Sequence, residues 1–157
     1  MSDVLSREQR RRNMSRIRGR DTKPEMLIRR GLHARGLRYK LHDKSLPGRP
    51  DLVFPRHNVV AFIHGCFWHV HGCALSKQPT SNRDFWSRKL EGNVLRDQKV
   101  MDRLKSEGWR LLVIWECALR GTRRKKLQTI LDSAEQFILT EKMDELEIEG
   151  EGISSHT

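Results

Sequence analysis

The chain has 157 residues, 36% of them hydrophobic, which is enough for one domain with a modest core. It carries 31 Lys and Arg against 20 Asp and Glu, for a net charge of +11. No run approaches the roughly 18 apolar residues of a membrane span, and the N-terminus lacks the apolar segment of a signal peptide, so we expect a soluble intracellular protein.

The positive charge is unevenly distributed along the chain. Residues 141–157 contain six acids and one lysine, so residues 1–140 carry a net charge of +16. Basic charge of this size favours phosphate backbones through the release of counterions. An acidic membrane surface and a merely solvated charged face are the alternatives, and nucleic acid is the partner that we prefer.

The first 20 residues form a basic segment. Ser6 and Gln9 have capping-box spacing, and six arginines follow within eleven positions. Met14 and Ile17 are the only sizeable apolar groups in the predicted helix. Two such contacts cannot anchor a helix in a core, so we predict an arm over residues 1–20 that becomes ordered on its partner. A solvated tail is the alternative.

Residues 21–140 carry the patterns of a folded α/β domain. Thr22 and Glu25 form a second capping box before an apolar stripe that stops at Gly36, which predicts a short helix. The other predicted elements are a half-buried strand over 37–41, a β-hairpin from 52–54 and 59–63, a loop over 65–83, helices over 85–90 and 93–107, a buried central strand over 109–115, an amphipathic helix over 127–138, and a disordered acidic tail over 141–157.

An aspartate lies where the predicted hairpin begins. Antiparallel pairing would bring Asp51 next to the end of the second strand, at Ile63 and His64. Metal-dependent phosphodiester hydrolysis needs a hard oxygen ligand, a polarised water and a group that moves a proton, and these residues can supply them. An aspartate after proline can also be a simple turn residue.

Cysteine and histidine are concentrated after the hairpin. Three cysteines cannot form a closed disulfide framework, and clustered Cys with His more often binds metal in a reducing compartment. Cys66, Cys73 and Cys117 with one histidine, either His69 or His71, make a tetrahedral zinc set of the closed, structural kind. Three buried thiols without metal are the alternative.

Two aromatic residues, Phe67 and Trp68, lie between these cysteines. Apolar side chains that enter a base step are one way in which proteins unstack and kink DNA. Packing in the core is the alternative for both, and it is an equally good explanation for Trp86 further along.

The order of these motifs resembles a known nuclease family. Pro50-Asp51 followed across a hairpin by Phe62-Ile63-His64 resembles the PD-(D/E)xK nuclease superfamily, with Phe-x-His in place of acid-x-Lys. That replacement is typical of the very-short-patch repair (Vsr) endonuclease family. Short blocks match it in order from about residue 11 to 120, among them 45–51, 64–69, Phe85-Trp86 and 108–120.

The resemblance implies a restriction-endonuclease-like fold, with a mixed central sheet flanked by helices, and a set of site residues. Asp51 and the main-chain oxygen of Ile63, a position where the family can have Thr, would bind a catalytic Mg²⁺. His69 would be the general base, His64 would lie near the scissile phosphate, and Glu25 would be an outer acid, although a helix cap explains it equally well. The structural Zn²⁺ would have the ligands Cys66, His71, Cys73 and Cys117. The DNA contacts would be Met14, Phe67, Trp68, Trp86, Lys89 and Asn93.

The implied activity is the nicking of one DNA strand 5′ to the thymine of a T:G mismatch, in the repair of deaminated 5-methylcytosine. The protein would act as a monomer in the bacterial cytoplasm, at the nucleoid, in a pathway with mismatch-repair proteins and a cytosine-5 methyltransferase. Two alternatives stay open: a restriction-type endonuclease on the same fold, and a zinc-containing DNA-binding protein without catalysis.

Overall fold

One helix is followed by three strands, after which helices and strands alternate. The structure, a computed structural model, describes residues 22–73, 75 and 80–152, so the predicted arm with Met14 lies outside the described residues. Within the described part the helices are α1 (Lys23–Ala34), α2 (Arg83–Ser106) and α3 (Leu127–Leu139), and the strands are β1 (Lys40–Leu41), β2 (Leu52–Phe54), β3 (Val59–His64), β4 (Arg110–Trp115) and β5 (Glu145–Ile148).

The strands form one mixed sheet in the order β1-β2-β3-β4-β5. The pairs β1/β2 and β2/β3 are antiparallel, which confirms the predicted hairpin. Its turn ends at Asn58, whose φ of 60° is a left-handed conformation that Asn tolerates. The pairs β3/β4 and β4/β5 are parallel, with α2 and α3 as the crossovers. Every residue of β4 is buried, as predicted for a central strand.

The sheet is covered on both faces. On one face α1 and α3 pack Ile28, Leu32 and Ile130 against alternate strand residues. On the other face Leu104 of α2 packs beside Phe62. In the described ranges, no helix has the length and apolar character needed to cross a lipid bilayer. This layering leaves the carboxyl ends of β3, β4 and β5 at one edge, where the connecting segments converge.

Two predicted elements differ in extent from the observed ones. The predicted helices over 85–90 and 93–107 are one helix of 24 residues, α2. Gly92 does not break it, because one interior glycine costs only about 1 kcal/mol and good helix formers flank it on both sides. The predicted strand over 37–41 is reduced to β1, an edge strand in which Leu41 is 44% exposed, because Leu37 turns into the core before the strand begins.

The prediction of a disordered acidic tail over 141–157 is wrong for its first half. Residues 145–148 form β5 and pair with β4. Leu146 and Ile148 alternate with two glutamates and pack on the core, which is the pattern of a half-buried strand. The prediction was wrong because it considered the net negative charge of the whole segment and not the alternation of apolar and acidic residues within it.

Candidate active site and metal centre

The first group of site residues surrounds Asp51, directly before β2. Because Leu52 pairs with Ala61, Asp51 lies beside the end of β3, and its Oδ2 accepts the N–H of Ile63 at 2.7 Å. The hairpin therefore joins the two residues as predicted, through the amide of Ile63; the expected role of its carbonyl stays a prediction. Burial raises the pKa of Asp51 to about 6, although the Ile63 N–H bond favours the carboxylate.

Glu25 and His42 complete this group. Thr22 caps α1 by accepting the N–H of Glu25 at 3.4 Å, as the capping pattern predicts. The Glu25 carboxylate, only 2% exposed, accepts a bond from Arg29 at 3.0 Å and lies 2.8 Å from His42 Nε2. Ligand atoms of Glu25, His42 and Asp51 all lie within 4.8 Å of one another. Glu25 is thus part of a helix start and also of a group that can hold a cation.

His42 was not predicted as a site residue. Its main-chain N–H donates to the carbonyl of Asp51 at 3.1 Å, next to the β1/β2 pairing, and this bond sets its place. No local sequence pattern identifies His42 as a site residue, because its position depends on the pairing of two strands.

The second group combines His64, His69 and Asp97. His64 ends β3 and is buried, and its ring stacks on that of His69 with centroids 3.8 Å apart. His69 Nδ1 lies 2.5 Å from Asp97 Oδ2, on α2. An Nδ1–H donated to this carboxylate leaves Nε2 as the basic nitrogen of His69, which is the arrangement of a general base held by an acid. Asp97 was not predicted as a site residue.

The environment of His64 differs from that of His69. Burial, together with the charge of His69, holds the pKa of His64 well below its usual value, so His64 is neutral near pH 7. Its Nδ1 is buried and finds no hydrogen-bond partner among the described residues. A buried polar atom without a partner is costly, so a hydrogen bond from a bound water or substrate group would be favourable at this nitrogen.

The third group contains the sulfur ligands. Cys66 follows β3 and Cys117 follows β4, and both are buried. His71 Nδ1 lies 3.6 Å from the Cys66 sulfur and 3.5 Å from the Cys117 sulfur, and the Cys73 sulfur is within 4.8 Å of these atoms. A zinc tetrahedron with ordinary Zn–S and Zn–N bonds has an N-to-S edge of about 3.6 Å, so the donor set fits zinc. Of the two candidate histidines, His71 joins the cysteines and His69 does not.

The protonation of the thiols depends on whether a cation is bound. Burial raises the pKa of Cys66 and of Cys117, so neither would ionise by itself near pH 7. A divalent cation at the centre of the group favours the thiolates and makes their burial acceptable.

Three aromatic side chains form a cluster at the mouth of the site. The ring of Phe67 lies 4.9 Å from that of Trp68 and 5.4 Å from that of Trp86. All three are half-buried and contact one another outside the main hydrophobic clusters of the described residues. Asn93 of α2 donates to the carbonyl of Trp68 at 2.9 Å and so ties the loop that carries Phe67 and Trp68 to this helix.

Asp51, the second group and two members of the aromatic cluster, Phe67 and Trp68, face one open cleft. Its volume is about 980 Å³, and Asp51, His64, His69 and Trp68 are among its lining residues. The basic residues of the lining are Lys23, Arg49, Arg88, Lys89, Arg96 and Arg120. A cleft that combines this charge with acid–base groups suits a polyanionic substrate.

Asp51 is expected to limit stability while it prepares the site. The folded state raises its pKa from 3.8 to about 6, so stability falls as the pH rises through this window and stays lower above it. Asp51→Asn keeps an oxygen for Ile63 without the charge and should stabilise the protein by about 3 kcal/mol near pH 7.5. Thermal unfolding in magnesium-free buffer measures this difference, which should vanish below about pH 4. An equal or lower melting temperature for the variant near pH 7.5 would contradict the prediction.

Comparisons with known proteins relate the chain to DNA-nicking enzymes. A family model described as DNA mismatch endonuclease Vsr matches residues 2–75. The DNA mismatch endonuclease Vsr of Escherichia coli (strain K12) is 45% identical over 155 residues, which cover 99% of this chain and 93% of the relative. The type II nicking enzyme V.XorIIP of Xanthomonas oryzae pv. oryzae is 48% identical over 134 residues, which cover 84% of this chain and 98% of the relative. The type II nicking enzyme V.NmeAIP of Neisseria meningitidis serogroup A is 41% identical over 121 residues, or 77% of this chain and 86% of the relative.

Proposed function

Since the chain belongs to the Vsr family and is a DNA endonuclease, we propose that it nicks one strand of duplex DNA 5′ to the thymine of a T:G mismatch. The reaction depends on magnesium and serves the very-short-patch repair of deaminated 5-methylcytosine. The observation that carries the proposal is the convergence of Asp51 and the His69–Asp97 pair on one basic cleft. Hydrolysis of a phosphodiester needs both a cation ligand and a proton acceptor at the same place.

Asp51 binds the catalytic cation together with the main-chain oxygen of Ile63, and Glu25 acts from the outer side of the group. When bound, magnesium supplies positive charge for the phosphate and lowers the pKa of a coordinated water. The carboxylates suit a hard cation of this kind. Support for this role comes from the closeness of Asp51, Glu25 and the end of β3.

His69 accepts the proton of the attacking water at Nε2. Asp97 holds the imidazole through Nδ1 and favours the positive charge that His69 gains in the step. His64 is neutral and stacks on His69 near the scissile phosphate. Its buried Nδ1 gains a hydrogen-bond partner when the substrate is bound. The products are a 3′-hydroxyl and a 5′-phosphate.

Mismatch recognition uses the aromatic cluster as a wedge. Phe67 and Trp68 enter the base step beside the mismatch, with Trp86 behind them, and Met14 of the N-terminal arm approaches from the opposite groove. A wobble pair stacks poorly, so opening this step costs less than opening a Watson–Crick step. Lys89 and Asn93 on α2 contact the mismatched pair and its neighbours.

The Cys66–His71–Cys73–Cys117 group binds a structural zinc that ties the wedge loop to the end of β4. On this proposal the fold is restriction-endonuclease-like, with a DNA-clamping arm over residues 1–20 and an endonuclease domain that starts at 21. The domain extends beyond 140, because β5 belongs to its sheet. The protein acts as a monomer at the bacterial nucleoid, in the cytoplasm, and a cytosine-5 methyltransferase and mismatch-repair proteins share its pathway.

Two other functions have less support. Several relatives are named nicking enzymes, and this favours cleavage of one strand over the double-strand cleavage of a restriction enzyme. A DNA-binding protein without catalysis would have no use for a His–Asp pair beside a buried carboxylate in the cleft.

The proposal is tested by nicking assays on one duplex sequence with T:G, T:A or C:G at the same position, in several flanking contexts. We expect fast cleavage of the T:G duplex only, in a subset of contexts. Binding without cleavage in every context would favour the DNA-binding protein, and cleavage of both strands of matched duplex would favour the restriction enzyme.

Loss of the wedge should reduce cleavage without disturbing the fold. Trp68→Ala removes a stacking surface worth about 1–3 kcal/mol, so kcat/KM on the T:G duplex should fall about 10- to 100-fold. Leu95→Ala, on the exposed side of α2, is the matched control and should leave kcat/KM unchanged. Wild-type activity in Trp68→Ala would contradict the role of Trp68 in opening the base step.

A further inference from the structure

The segment that follows β5 contacts two of the proposed zinc ligands, His71 and Cys117. Since β3, β4 and β5 run parallel, their carboxyl ends meet at one edge of the sheet, where Cys66, Cys117 and Glu149 follow them. Glu149 Oε1 lies 2.9 Å from His71 Nε2. The Nδ1 atom on the other side of the same ring faces the sulfur atoms of Cys66 and Cys117.

A second contact comes from the next residue. The N–H of Gly150 donates to the sulfur of Cys117 at 3.3 Å. A Cβ at position 150 would lie 2.7 Å from the carbonyl oxygen of Cys117, so only glycine allows this approach. Trp115 covers one face of the His71 ring, since the two rings stack with centroids 4.1 Å apart.

We infer that Glu149 is the outer carboxylate of the metal centre and that the acidic segment after β5 positions two of its ligands, His71 and Cys117. The inference rests on the zinc occupancy proposed above. A carboxylate that accepts the distal N–H of a metal-binding histidine fixes the tautomer and the orientation of the ring and increases its basicity. An N–H donated to a thiolate stabilises the negative charge on sulfur.

The same contacts connect the C-terminal segment to the cleft. His71 belongs to the short loop that carries the wedge residues Phe67 and Trp68 and the base His69. Holding His71 by Glu149 therefore holds this loop against the carboxyl end of the sheet. The acidic segment after β5 therefore supports the metal centre.

The test is the rate at which the purified full-length protein transfers zinc to a chromophoric chelator. Wild type should contain one zinc per chain. Glu149→Ala should release it about 10- to 100-fold faster, the range typical of lost outer ligand partners, and Glu149→Asp, which keeps the charge, should recover part of the difference. Glu151→Ala, which removes a neighbouring exposed acid, should release zinc at the wild-type rate.

Thermal unfolding of the zinc-loaded proteins separates positioning from simple stability. Ile28→Val loosens the packing of α1 in the core without touching β5 or a ligand, so it should lower the melting temperature and leave zinc release unchanged. Wild-type release in Glu149→Ala, or equal acceleration in Ile28→Val, would overturn the inference while the zinc proposal stands. A wild-type protein that binds no zinc would overturn both.

Discussion

Asp51→Asn is expected to reduce single-turnover nicking of a T:G duplex by about 10³-fold or more. The variant loses the negative charge that binds the catalytic cation, and metal catalysis of this kind contributes several kcal/mol to the barrier. The fold should persist, because Asn still accepts the N–H of Ile63. Nicking is measured with enzyme in excess, at saturating magnesium.

Binding distinguishes a lost catalytic group from a damaged protein. Asp51→Asn should bind the T:G duplex at least as tightly as wild type, because it removes a negative charge from a basic cleft. Asp43→Asn is the control and should nick normally, because Asp43 is a partly exposed aspartate outside the cleft that accepts bonds from Ser45. Nicking by Asp51→Asn within tenfold of wild type would contradict the role of Asp51.

His69→Ala is expected to lower the same rate by about 10²- to 10⁴-fold, the usual contribution of a general base. Asp97→Asn keeps the side-chain volume but replaces the acceptor of the Nδ1–H, so its rate should lie between those of wild type and His69→Ala. Added imidazole should restore part of the activity of His69→Ala and none of that of Asp51→Asn.

A histidine far from the cleft provides the control for this series. His57 precedes β3, at the end of the strand opposite His64 and His69, and His57→Ala should nick at the wild-type rate. Full activity in His69→Ala would show that another group accepts the proton. Full activity in Asp97→Asn would show that the contact with Asp97 does not orient the base.

Elements with a regular local pattern could be predicted from the sequence. The hairpin of β2 and β3 and the buried strand β4 were predicted because short apolar runs bounded by Pro, Gly and polar residues suit few other structures. The closeness of Asp51 to Ile63 followed from the hairpin alone. The zinc group followed from ligand chemistry, although composition by itself did not choose between His69 and His71.

Contacts between distant segments could not be predicted in this way. Asp97 meets His69 because α2 packs across the face of the sheet, and His42 meets Glu25 because β1 pairs with β2. Glu149 reaches His71 only because β5 joins the sheet, and a segment with so many acids gave no reason to expect a strand. In each case the partner is an ordinary polar residue whose role depends on tertiary packing.

The position and the chemistry of the cut distinguish mismatch-directed nicking from other nuclease activities. A duplex with one T:G mismatch, labelled in turn at each of its four ends, is incubated with the protein in magnesium or in magnesium-free buffer. We predict one nick in the thymine strand, immediately 5′ to the mismatched thymine, with a 3′-hydroxyl and a 5′-phosphate, and none without magnesium. A cut in both strands, or cleavage that persists without a divalent cation, would contradict the proposed magnesium-dependent nicking of one strand.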